Sequence, residues 1–394
     1  MSKVIAVNAG SSSLKFKLFE MPNEEVICSG LIERIGLESG NFVFKMNGEK
    51  FETSAPIKDH EVAVKMLVDS LLEHGCVKSL DEITGVGHRV VQGGPQFADS
   101  ALINEDTIAA IESFIPLAPL HNKANLIGIR AFLNILPGVG NVAVFDTAFH
   151  QTMEAQDYMY AVNYDYYEKY MVRRYGFHGT SHKYLAEKGA SYTTGNKIIT
   201  CHIGSGGSLC AIKDQKCVTT TMGLTPLAGI IMGTRTGDID PSIMNYLATC
   251  TGRTSEDIYQ EFNKKSGLVG LCGYSDTRDV EAGVLNGDPK CTLAYQMYTR
   301  KIADFIGQYF VRLGGCDLII FSAGVGENSN ICRKMVCDNL KEALGVELDE
   351  ELNKATIRGK EGVISATNSK IKVVVIPTDE EVMIARDAVR LLNN

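Results

Sequence analysis

Two segments of this chain repeat one pattern of residues that could bind phosphate. Val4–Phe19 reads VIAVNAGSSSLKFKLF, and Ile198–Lys213 reads IITCHIGSGGSLCAIK in the same register. Each pattern predicts a strand, a polar residue (Asn8 or His202), a turn of small residues and a second strand. Small residues let backbone N–H groups approach an anion closely, so each turn is a candidate phosphate cradle. Two ordinary hairpins are the alternative, because glycine and serine are common in turns.

Two further residues have the chemistry of an anion-binding site. Asp146 directly follows the predicted strand Val142–Phe145. Ligands in α/β proteins bind at the carboxyl ends of strands, so Asp146 is a candidate site residue; the alternative is that it caps the following turn. Arg235 lies in the glycine-flanked loop Gly233–Pro241. Its guanidinium could hold phosphate or carboxylate, or it could pair with an acidic residue of the same loop.

Two segments in the second half of the chain point to a nucleotide and a cation. After the predicted strand Leu318–Phe321, the residues Ser322–Ser329 read SAGVGENS. A glycine loop here would hold a base and ribose against exposed backbone, although a tight strand-to-helix turn also needs glycine. Near the C-terminus, Thr378 and Glu381 match a capping box. That arrangement leaves Glu380 as a candidate Mg²⁺ ligand or a plain exposed carboxylate.

Two familiar patterns are rejected as sites. The GxGxxA pattern beginning at Gly138 precedes a strand instead of following one, so it is not a dinucleotide fingerprint. His178 and His182 have HxxxH spacing, but the residues between them lack the zinc-protease glutamate, and Gly176 favours a turn. The chain also has no Walker A pattern, so a nucleotide site must be of another type.

Composition restricts the class of protein. The chain has 394 residues, 45% hydrophobic and 22% charged, which is typical of a globular protein and favours two domains. A net charge of −8 without a basic run argues against nucleic-acid binding. Eleven scattered cysteines without a CxxC pair predict reduced thiols and a cytoplasmic location. No signal-peptide pattern or bilayer-length apolar run is present, so we expect no membrane association.

Strand-like and helix-like runs alternate along the chain, which predicts an α/β fold. Predicted strands are Val4–Val7, Phe16–Phe19, Val26–Cys28, Val142–Phe145, Ile198–Cys201, Leu318–Phe321 and Val373–Ile376. Predicted helices are Glu61–Glu73, Asn125–Leu136, Leu293–Leu313 and Glu380–Leu392. The repeated hairpin predicts two halves that face each other across a cleft.

Together these segments resemble the acetate kinase family, of the superfamily that includes sugar kinases, heat-shock-70 proteins and actin. The resemblance covers essentially the whole chain. Its motifs are NAGSSSLKF at Asn8–Phe16, GHRVV at Gly87–Val91, PLAPLHN at Pro116–Asn122, DTAFH at Asp146–His150, RRYGFHGTSH at Arg173–His182, MGTRTGDIDP at Met232–Pro241, NKKSGL at Asn263–Leu268, AGVGENS at Ala323–Ser329 and PTDEE at Pro377–Glu381.

The resemblance implies a duplicated ribonuclease-H-like (actin-like ATPase) architecture with two domains flanking a central active-site cleft. The N-terminal domain would comprise residues 1–148 and 382–394. Residues 149–381 would form a C-terminal domain that binds nucleotide and forms a homodimer. We expect the domains to close over the substrates and exclude water.

The implied reaction is the reversible transfer of the γ-phosphoryl group of ATP to acetate, giving acetyl phosphate and ADP. Direct in-line transfer needs positioning and charge neutralisation more than covalent chemistry. Arg89 and Arg235 would clamp the carboxylate and the phosphoryl group, and His178 would donate a hydrogen bond to the equatorial oxygens. A carboxylate nucleophile needs no deprotonation, so Asp146 would orient Arg or Mg²⁺ instead of acting as a base.

The resemblance also implies the binding residues. Asn8 and Glu380 would hold Mg²⁺ or Mn²⁺, and Lys15 would lie near the phosphates. The phosphate cradle would comprise His202, Gly204, Ser205 and Gly206. Adenosine would contact Asp276, Thr277, Arg278, Gly324, Val325, Gly326, Glu327 and Asn328. A small slot for the methyl group would be formed by Val91, Leu120, Phe177 and Pro226.

Five residues depart from the usual family pattern: Gln92, Lys123, Ser205, Gly207 and Ala228. Ser205 falls where a phosphoryl donor would contact the turn. Some relatives use pyrophosphate as the donor, although the GVGEN motif argues that adenosine still fits here.

Other functions fit the same residues. One alternative is a kinase for propionate or another short-chain acid, because one extra methylene changes binding by only ~1–3 kcal/mol. Another is an ATPase of the actin or heat-shock-70 type. Such an ATPase has no use for Arg89 or a methyl slot beside the γ-phosphate, and this difference discriminates between the two classes.

Overall fold

The computed structural model describes residues 2–393. The chain divides into two compact units. The first unit ends at Gln151 and resumes at Asp379, and the second is Thr152–Thr378. Each unit contains one mixed β-sheet with helices packed against it, so the predicted α/β fold class is confirmed.

The described residues form fourteen strands. They are β1 (Ser2–Ala9), β2 (Ser13–Met21), β3 (Glu25–Glu33), β4 (Gly40–Met46), β5 (Glu49–Ala55), β6 (Ile83–Val90), β7 (Ala101–Leu102), β8 (Gly140–Phe145), β9 (Lys197–Ile203), β10 (Gly207–Lys213), β11 (Lys216–Thr220), β12 (Leu318–Ser322), β13 (Gly362–Val363) and β14 (Lys372–Val375).

The helices connect and cover these strands. They are α1 (His60–Glu73), α2 (Glu105–Ser113), α3 (His121–Ile135), α4 (Ala155–Tyr158), α5 (Asp165–Tyr170), α6 (Gly179–Gly189), α7 (Ser242–Thr251), α8 (Ser255–Lys264), α9 (Gly267–Cys272), α10 (Thr277–Leu285), α11 (Pro289–Leu313), α12 (Ala323–Asn328), α13 (Asn330–Leu344), α14 (Glu350–Ala355) and α15 (Glu380–Leu392).

The two sheets share the same arrangement of five neighbouring strands. The first sheet has the order β5-β4-β3-β2-β1-β6-β8-β7, and the second has the order β11-β10-β9-β12-β14-β13. In the first, β3, β2 and β1 pair antiparallel, and β1, β6 and β8 pair parallel. In the second, β11, β10, β9, β12 and β14 repeat that arrangement. The repeat in the sequence therefore falls on β1–β2 and β9–β10, the equivalent hairpins of two similar sheets.

The first unit has helices on both sides of its sheet. One face packs against α1 and α3 around an aromatic cluster in which the ring centroids of Phe42 and Phe44 lie 6.1 Å apart. On β6, glycine allows α15 to lie against the strand, because a Cβ at Gly87 would be 2.9 Å from the carbonyl oxygen of Ile384. The C-terminal helix thereby belongs to the first unit, where it brings Glu380 to the carboxyl end of the sheet.

The second unit is built around the long helix α11. The side chain of Asp288 accepts hydrogen bonds from two backbone N–H groups of the first turn, and Pro289 follows at the first helical position. Gly314 ends the helix in the left-handed region with φ 64°. The buried face, which includes Tyr295, Tyr298 and Tyr309, packs on β9, β10 and α13.

The predicted strands and helices all overlap elements of the structure. All eleven cysteines are free thiols. Within residues 2–393, no helix combines the length and the apolar character that crossing a membrane requires.

The first unit contains a buried histidine that makes stability depend on pH. His88 lies on β6, 2% exposed, with Nε2 2.7 Å from Asn141 Oδ1. Burial lowers the pKa of His88 to about 4, and the hydrogen bond to Asn141 opposes this only in part. A histidine that is neutral in the fold but takes up a proton when unfolded costs stability as pH falls from about 6.5 towards 4.

We expect the free energy of unfolding to fall by about 2 kcal/mol more for the native chain than for His88→Gln between about pH 7.5 and 5. The glutamine keeps a donor for Asn141 and has no proton to gain. Urea unfolding at both pH values measures the difference, with the half-buried His74→Gln as the control. An equal loss in all three proteins would contradict the prediction.

Candidate active site

The first unit contains a partly buried arginine–carboxylate pair at the ends of two parallel strands. Arg89 is the penultimate residue of β6, and Asp146 directly follows β8. Arg89 Nε lies 2.9 Å from Asp146 Oδ1, and Arg89 Nη2 lies 2.6 Å from Asp146 Oδ2. Asp146 is 2% exposed. This two-point contact shows that the carboxylate orients Arg89, and the alternative of a simple turn cap is not needed.

A second carboxylate lies in the field of this pair. The pKa of Glu380 is raised to about 7, chiefly by burial; the positive charge of Arg89 opposes this rise, and the negative charges of Asp146 and Glu381 add to it. Burial disfavours the guanidinium charge of Arg89, but Asp146 and then Glu380 more than compensate and raise its pKa. The cluster thus contains more negative charge than its arginine neutralises, which favours an added cation.

The predicted capping box at the start of α15 is wrong. The N-cap is Asp379, not Thr378, and its side chain accepts a hydrogen bond from the backbone N–H of Val382. Glu381 instead forms an ion pair with Lys15, whose Nζ lies 2.5 Å from Glu381 Oε1. The sequence pattern took no account of two nearby lysines. Their positive charges bind the Glu381 carboxylate more strongly than a neutral backbone N–H would. Glu380 is still left for the site, although for a different reason.

The donor set in the first unit fits a hard divalent cation. The carboxylates of Glu380 and Asp146 and the amide oxygen of Asn8 are all oxygen ligands, which Mg²⁺ and Mn²⁺ prefer. Asn8 lies near the end of β1, opposite Lys15 in the β1–β2 register. Lys15 was predicted to lie near the phosphates; in the structure its ammonium is paired with Glu381, and its side chain is 53% exposed.

In the second unit, the turn between β9 and β10 is the segment predicted to cradle phosphate. Its residues Gly204, Ser205 and Gly206 join the two strands, and the backbone N–H of Gly204 donates to the carbonyl of Gly206 at 3.2 Å. A Cβ on Gly206 would lie 3.2 Å from Arg235 Nη1, so the guanidinium lies directly against the turn. His202 is the penultimate residue of β9, beside the turn, and is 9% exposed.

Arg235 is a half-buried cation without a carboxylate partner among the residues that the structure describes. Its Nη1 donates to the carbonyl of Pro226 at 3.3 Å, and burial lowers its pKa. Asp238, in the same loop, does not contact Arg235 and instead accepts a hydrogen bond from the backbone N–H of Gly229 at 2.8 Å. The alternative of a structural Arg–Asp pair is therefore excluded, and the charge is available to an anion.

His178 is held on the same sheet by side-chain contacts. It precedes α6 in a left-handed conformation with φ 57°. Its Nδ1 lies 2.9 Å from Ser208 Oγ, and its ring stacks on that of His202 with centroids 4.2 Å apart. These contacts orient the imidazole beside the cradle strand β10, as a hydrogen-bond donor to a phosphoryl group requires.

A cavity of about 650 Å³ opens beside the cradle in the second unit. Its size suits a nucleoside. Most of the predicted nucleotide-binding residues line it, whereas Lys15, His202, Gly326 and Glu327 do not. The lining residues are Gly204, Ser205, Gly206, Gly233, Thr234, Arg235, Ser275, Asp276, Thr277, Arg278, Glu281, Gly324, Val325, Asn328 and Ser329.

The predicted glycine loop after β12 is wrong in conformation. The segment Ala323–Asn328 is the short helix α12, which begins directly after the strand with Ala323 at φ 63°. Gly326 packs near the carbonyl of Cys201, 3.5 Å from where its Cβ would be, and Glu327 turns back to accept a hydrogen bond from the N–H of Thr378 at 3.2 Å. The glycines therefore permit close packing of a helix, while Gly324 and Asn328 line the cavity.

The residues predicted to form the methyl slot come from both units. Val91 and Leu120 belong to the first, and Phe177 and Pro226 to the second. Val91 is 6% and Phe177 2% exposed, whereas Leu120 is 70% exposed. The carbonyl oxygen of Pro226 accepts a hydrogen bond from Arg235 Nη1, so Pro226 lies beside that guanidinium.

The sequence reasoning missed several residues that the structure places in the site. Glu281 lines the cavity and accepts hydrogen bonds from Tyr295 and Ser329. Ser208 and His182 contact each other at 2.8 Å, and Ser208 also contacts His178. The HxxxH spacing of His178 and His182 was weighed only as a metal site, and no local pattern connects either histidine with Ser208 on β10.

Comparisons with known proteins agree with this geometry. The model of the acetokinase family matches residues 3–386. The acetate kinase of Anoxybacillus flavithermus is 52% identical over 398 residues, covering 100% of both chains. The crystal structure of Porphyromonas gingivalis acetate kinase superposes with a TM-score of 0.94 at 44% identity and full coverage of both chains. A propionate kinase from Francisella tularensis superposes with a TM-score of 0.93 at 39% identity, over 99% of this chain and 100% of that one. The chain therefore belongs to the acetokinase family, the acetate kinases.

Proposed function

We propose that this protein transfers the γ-phosphoryl group of ATP to acetate, reversibly, to give acetyl phosphate and ADP. The observation that carries the proposal is Arg235, a half-buried guanidinium without a carboxylate partner in the described part of the chain, lying against the Gly204–Gly206 turn. A cation in that position would stabilise charge on a transferring phosphoryl group. Family membership supplies the acceptor and the donor.

The transfer is a direct in-line displacement. A carboxylate oxygen of acetate forms a bond to the γ-phosphorus while the bond from that phosphorus to the bridging oxygen of ADP breaks, and no proton moves. Arg89, oriented by Asp146, binds the acetate carboxylate, and Arg235 and His178 contact the phosphoryl oxygens. When bound, Mg²⁺ or Mn²⁺ neutralises phosphate charge, and Glu380 and Asn8 would hold it.

The acid and the partners are further proposals. A small apolar slot of Val91, Leu120, Phe177 and Pro226 would accept acetate and, less well, propionate, since one methylene changes binding by about 1–3 kcal/mol. Because the structure is similar to that of a propionate kinase, propionate is tested beside acetate. Eleven free thiols support a cytoplasmic location, and the family supports a homodimer.

An acyl phosphate trap tests the function. The purified protein is incubated with acetate, Mg²⁺ and hydroxylamine, and either ATP or pyrophosphate is added. We expect hydroxamate with ATP alone, and a faster rate with acetate than with propionate. Product with pyrophosphate alone would overturn the adenosine site, and a faster rate with propionate would overturn the assignment of the acid. ATP hydrolysis without hydroxamate would point to an ATPase.

Filling the cavity from its α12 wall should weaken ATP binding selectively. A Cβ on Gly324 has no heavy atom within 4 Å, so the side chain of Gly324→Leu would occupy open space at the cavity. We expect the KM for ATP to rise by about tenfold or more, because the new side chain displaces part of the nucleoside, with the KM for acetate unchanged. Steady-state kinetics measure both constants.

Gly307→Leu is the matched control, because Gly307 also has open space around its Cβ but lies on α11, outside the cavity lining. A Gly324→Leu variant with an unchanged KM for ATP would place the nucleoside elsewhere.

A further inference from the structure

A chain of three hydrogen bonds runs inward from His178 through the second unit. His178 Nδ1 lies 2.9 Å from Ser208 Oγ, which lies 2.8 Å from His182 Nε2. His182 Nδ1 in turn lies 2.7 Å from Thr200 Oγ1. Ser208, His182 and Thr200 are all 0% exposed. The chain is therefore shielded from water, and its members must satisfy one another.

The elements of the second unit place these residues together. Thr200 on β9 pairs with Cys210, and Ser208 on β10 pairs with His202 in the antiparallel register. Thr200 and Ser208 are thus diagonal neighbours on one face of the sheet. His182, in the first turns of α6, reaches both hydroxyls with its two ring nitrogens. The order of the chain follows from this packing.

The direction of the hydrogen bonds is decided at the inner end. The hydroxyl proton of Thr200 has two acceptors in contact, His182 Nδ1 at 2.7 Å and the carbonyl of Cys210 at 3.5 Å. The second distance is at the limit for a hydrogen bond, so the proton belongs to the first. His182 then carries its own proton on Nε2 and donates it to Ser208 Oγ, and the Ser208 hydroxyl donates to His178 Nδ1.

Because Nδ1 of His178 accepts the hydrogen bond from Ser208, a neutral His178 carries its proton on Nε2. Protonation of the ring would put a hydrogen on Nδ1 as well, against the donating hydroxyl of Ser208. The contact with Ser208 therefore favours the neutral imidazole.

We propose that Thr200, His182 and Ser208 are positioning residues that hold His178 as the neutral Nε2–H tautomer. In this form the Nε2–H of His178 donates a hydrogen bond to the transferring phosphoryl group. The proposal rests on the proposed function for its kinetic consequence. The tautomer itself is a property of the protein and can be measured without any substrate.

Ring-nitrogen NMR of ¹⁵N-histidine-labelled protein tests the tautomer directly. We expect the Nε2–H form for His178 in the native protein, assigned by the loss of its signals in His178→Gln. Thr200→Val removes the hydroxyl that sets the direction, so a substantial Nδ1–H population should appear at His178. Thr200→Ser keeps the hydroxyl and should keep the native tautomer. Thr299→Val removes a buried hydroxyl on α11 that takes no part in these three hydrogen bonds. This variant should keep the native tautomer of His178.

Kinetics separate positioning from a general loss of structure. We expect Thr200→Val to lower kcat by about tenfold with little change in the KM for ATP or acetate, because only a transition-state donor is disturbed. Thr200→Ser should restore kcat. An Nδ1–H or imidazolium form of native His178, or an unchanged tautomer in Thr200→Val, would overturn the proposal. If the acyl phosphate trap fails instead, the proposed function is wrong while the NMR result still decides the tautomer.

Discussion

Replacing Arg235 with Gln is expected to lower kcat by about 10³-fold, the largest loss that we predict for any single side chain. An arginine that stabilises a transferring phosphoryl group is worth roughly 10³ to 10⁵ in rate. Arg235 lies against the β9–β10 turn and has no carboxylate to neutralise it among the described residues. Its charge should therefore act on the phosphoryl group as negative charge redistributes in the transition state.

Two further variants sharpen this experiment. Arg235→Lys keeps a charge but loses the planar fork, so we expect intermediate activity. Arg253→Gln removes an arginine of the same unit that is paired with Glu261 at the surface, and it should retain native kinetics. Single-turnover measurements with ATP and acetate isolate the chemical step. A loss confined to the KM for ATP, with kcat unchanged, would show that Arg235 serves ground-state binding only.

Replacing Asp146 with Asn is expected to lower kcat/KM for acetate by about 10²-fold or more. The isosteric amide removes the charge that holds Arg89 at 2.6 and 2.9 Å, and small misplacements of a substrate clamp cost activity on this scale. The guanidinium of Arg89 would then move towards Glu380, the carboxylate with the next largest effect on its pKa. Both the acetate clamp and the proposed metal ligand would be disturbed by a single substitution.

The Asp146→Asn variant also predicts a change at Glu380. Asp146 contributes to the raised pKa of Glu380, so its neutralisation should lower that pKa from about 7. Infrared spectroscopy of the carboxyl groups in the metal-free protein can follow this titration. The variant Asp157→Asn, whose carboxylate pairs with Arg312 in the second unit, is the control. Native acetate kinetics in Asp146→Asn would remove Asp146 from the site.

The pair formed by Asp146 and Arg89 illustrates the limit of sequence reasoning. The position of Asp146 after an apolar strand was a sufficient signal that it belongs to a site, because strand ends collect ligands in α/β proteins. Its partner lies 57 residues earlier in the chain, and no local pattern connects the two. The parallel pairing of β6 with β8 sets Arg89 beside Val144 and thereby brings the two side chains together.

The two wrong predictions have one physical cause. Thr378 and Glu381 satisfy the spacing of a capping box, and Ser322–Ser329 has the composition of a loop, yet both segments compete with residues distant in sequence. Lys15 on β2 takes Glu381, and the packing of α12 against β9 turns the glycine-rich segment into a helix. Local preferences are worth about 1 kcal/mol and give way when burial or charge favours another arrangement.

The sequence by itself determined the α/β class, the duplicated strand–turn–strand units and the residue types of the site. These properties are local, since alternation of apolar residues and turns of small residues act within a few positions. Only the tertiary structure decided which charges are paired and which are left for a ligand: Asp146 binds Arg89, whereas Arg235 has no carboxylate among the described residues. That distinction depends on the register of strands far apart in the chain, which burial across a whole sheet selects.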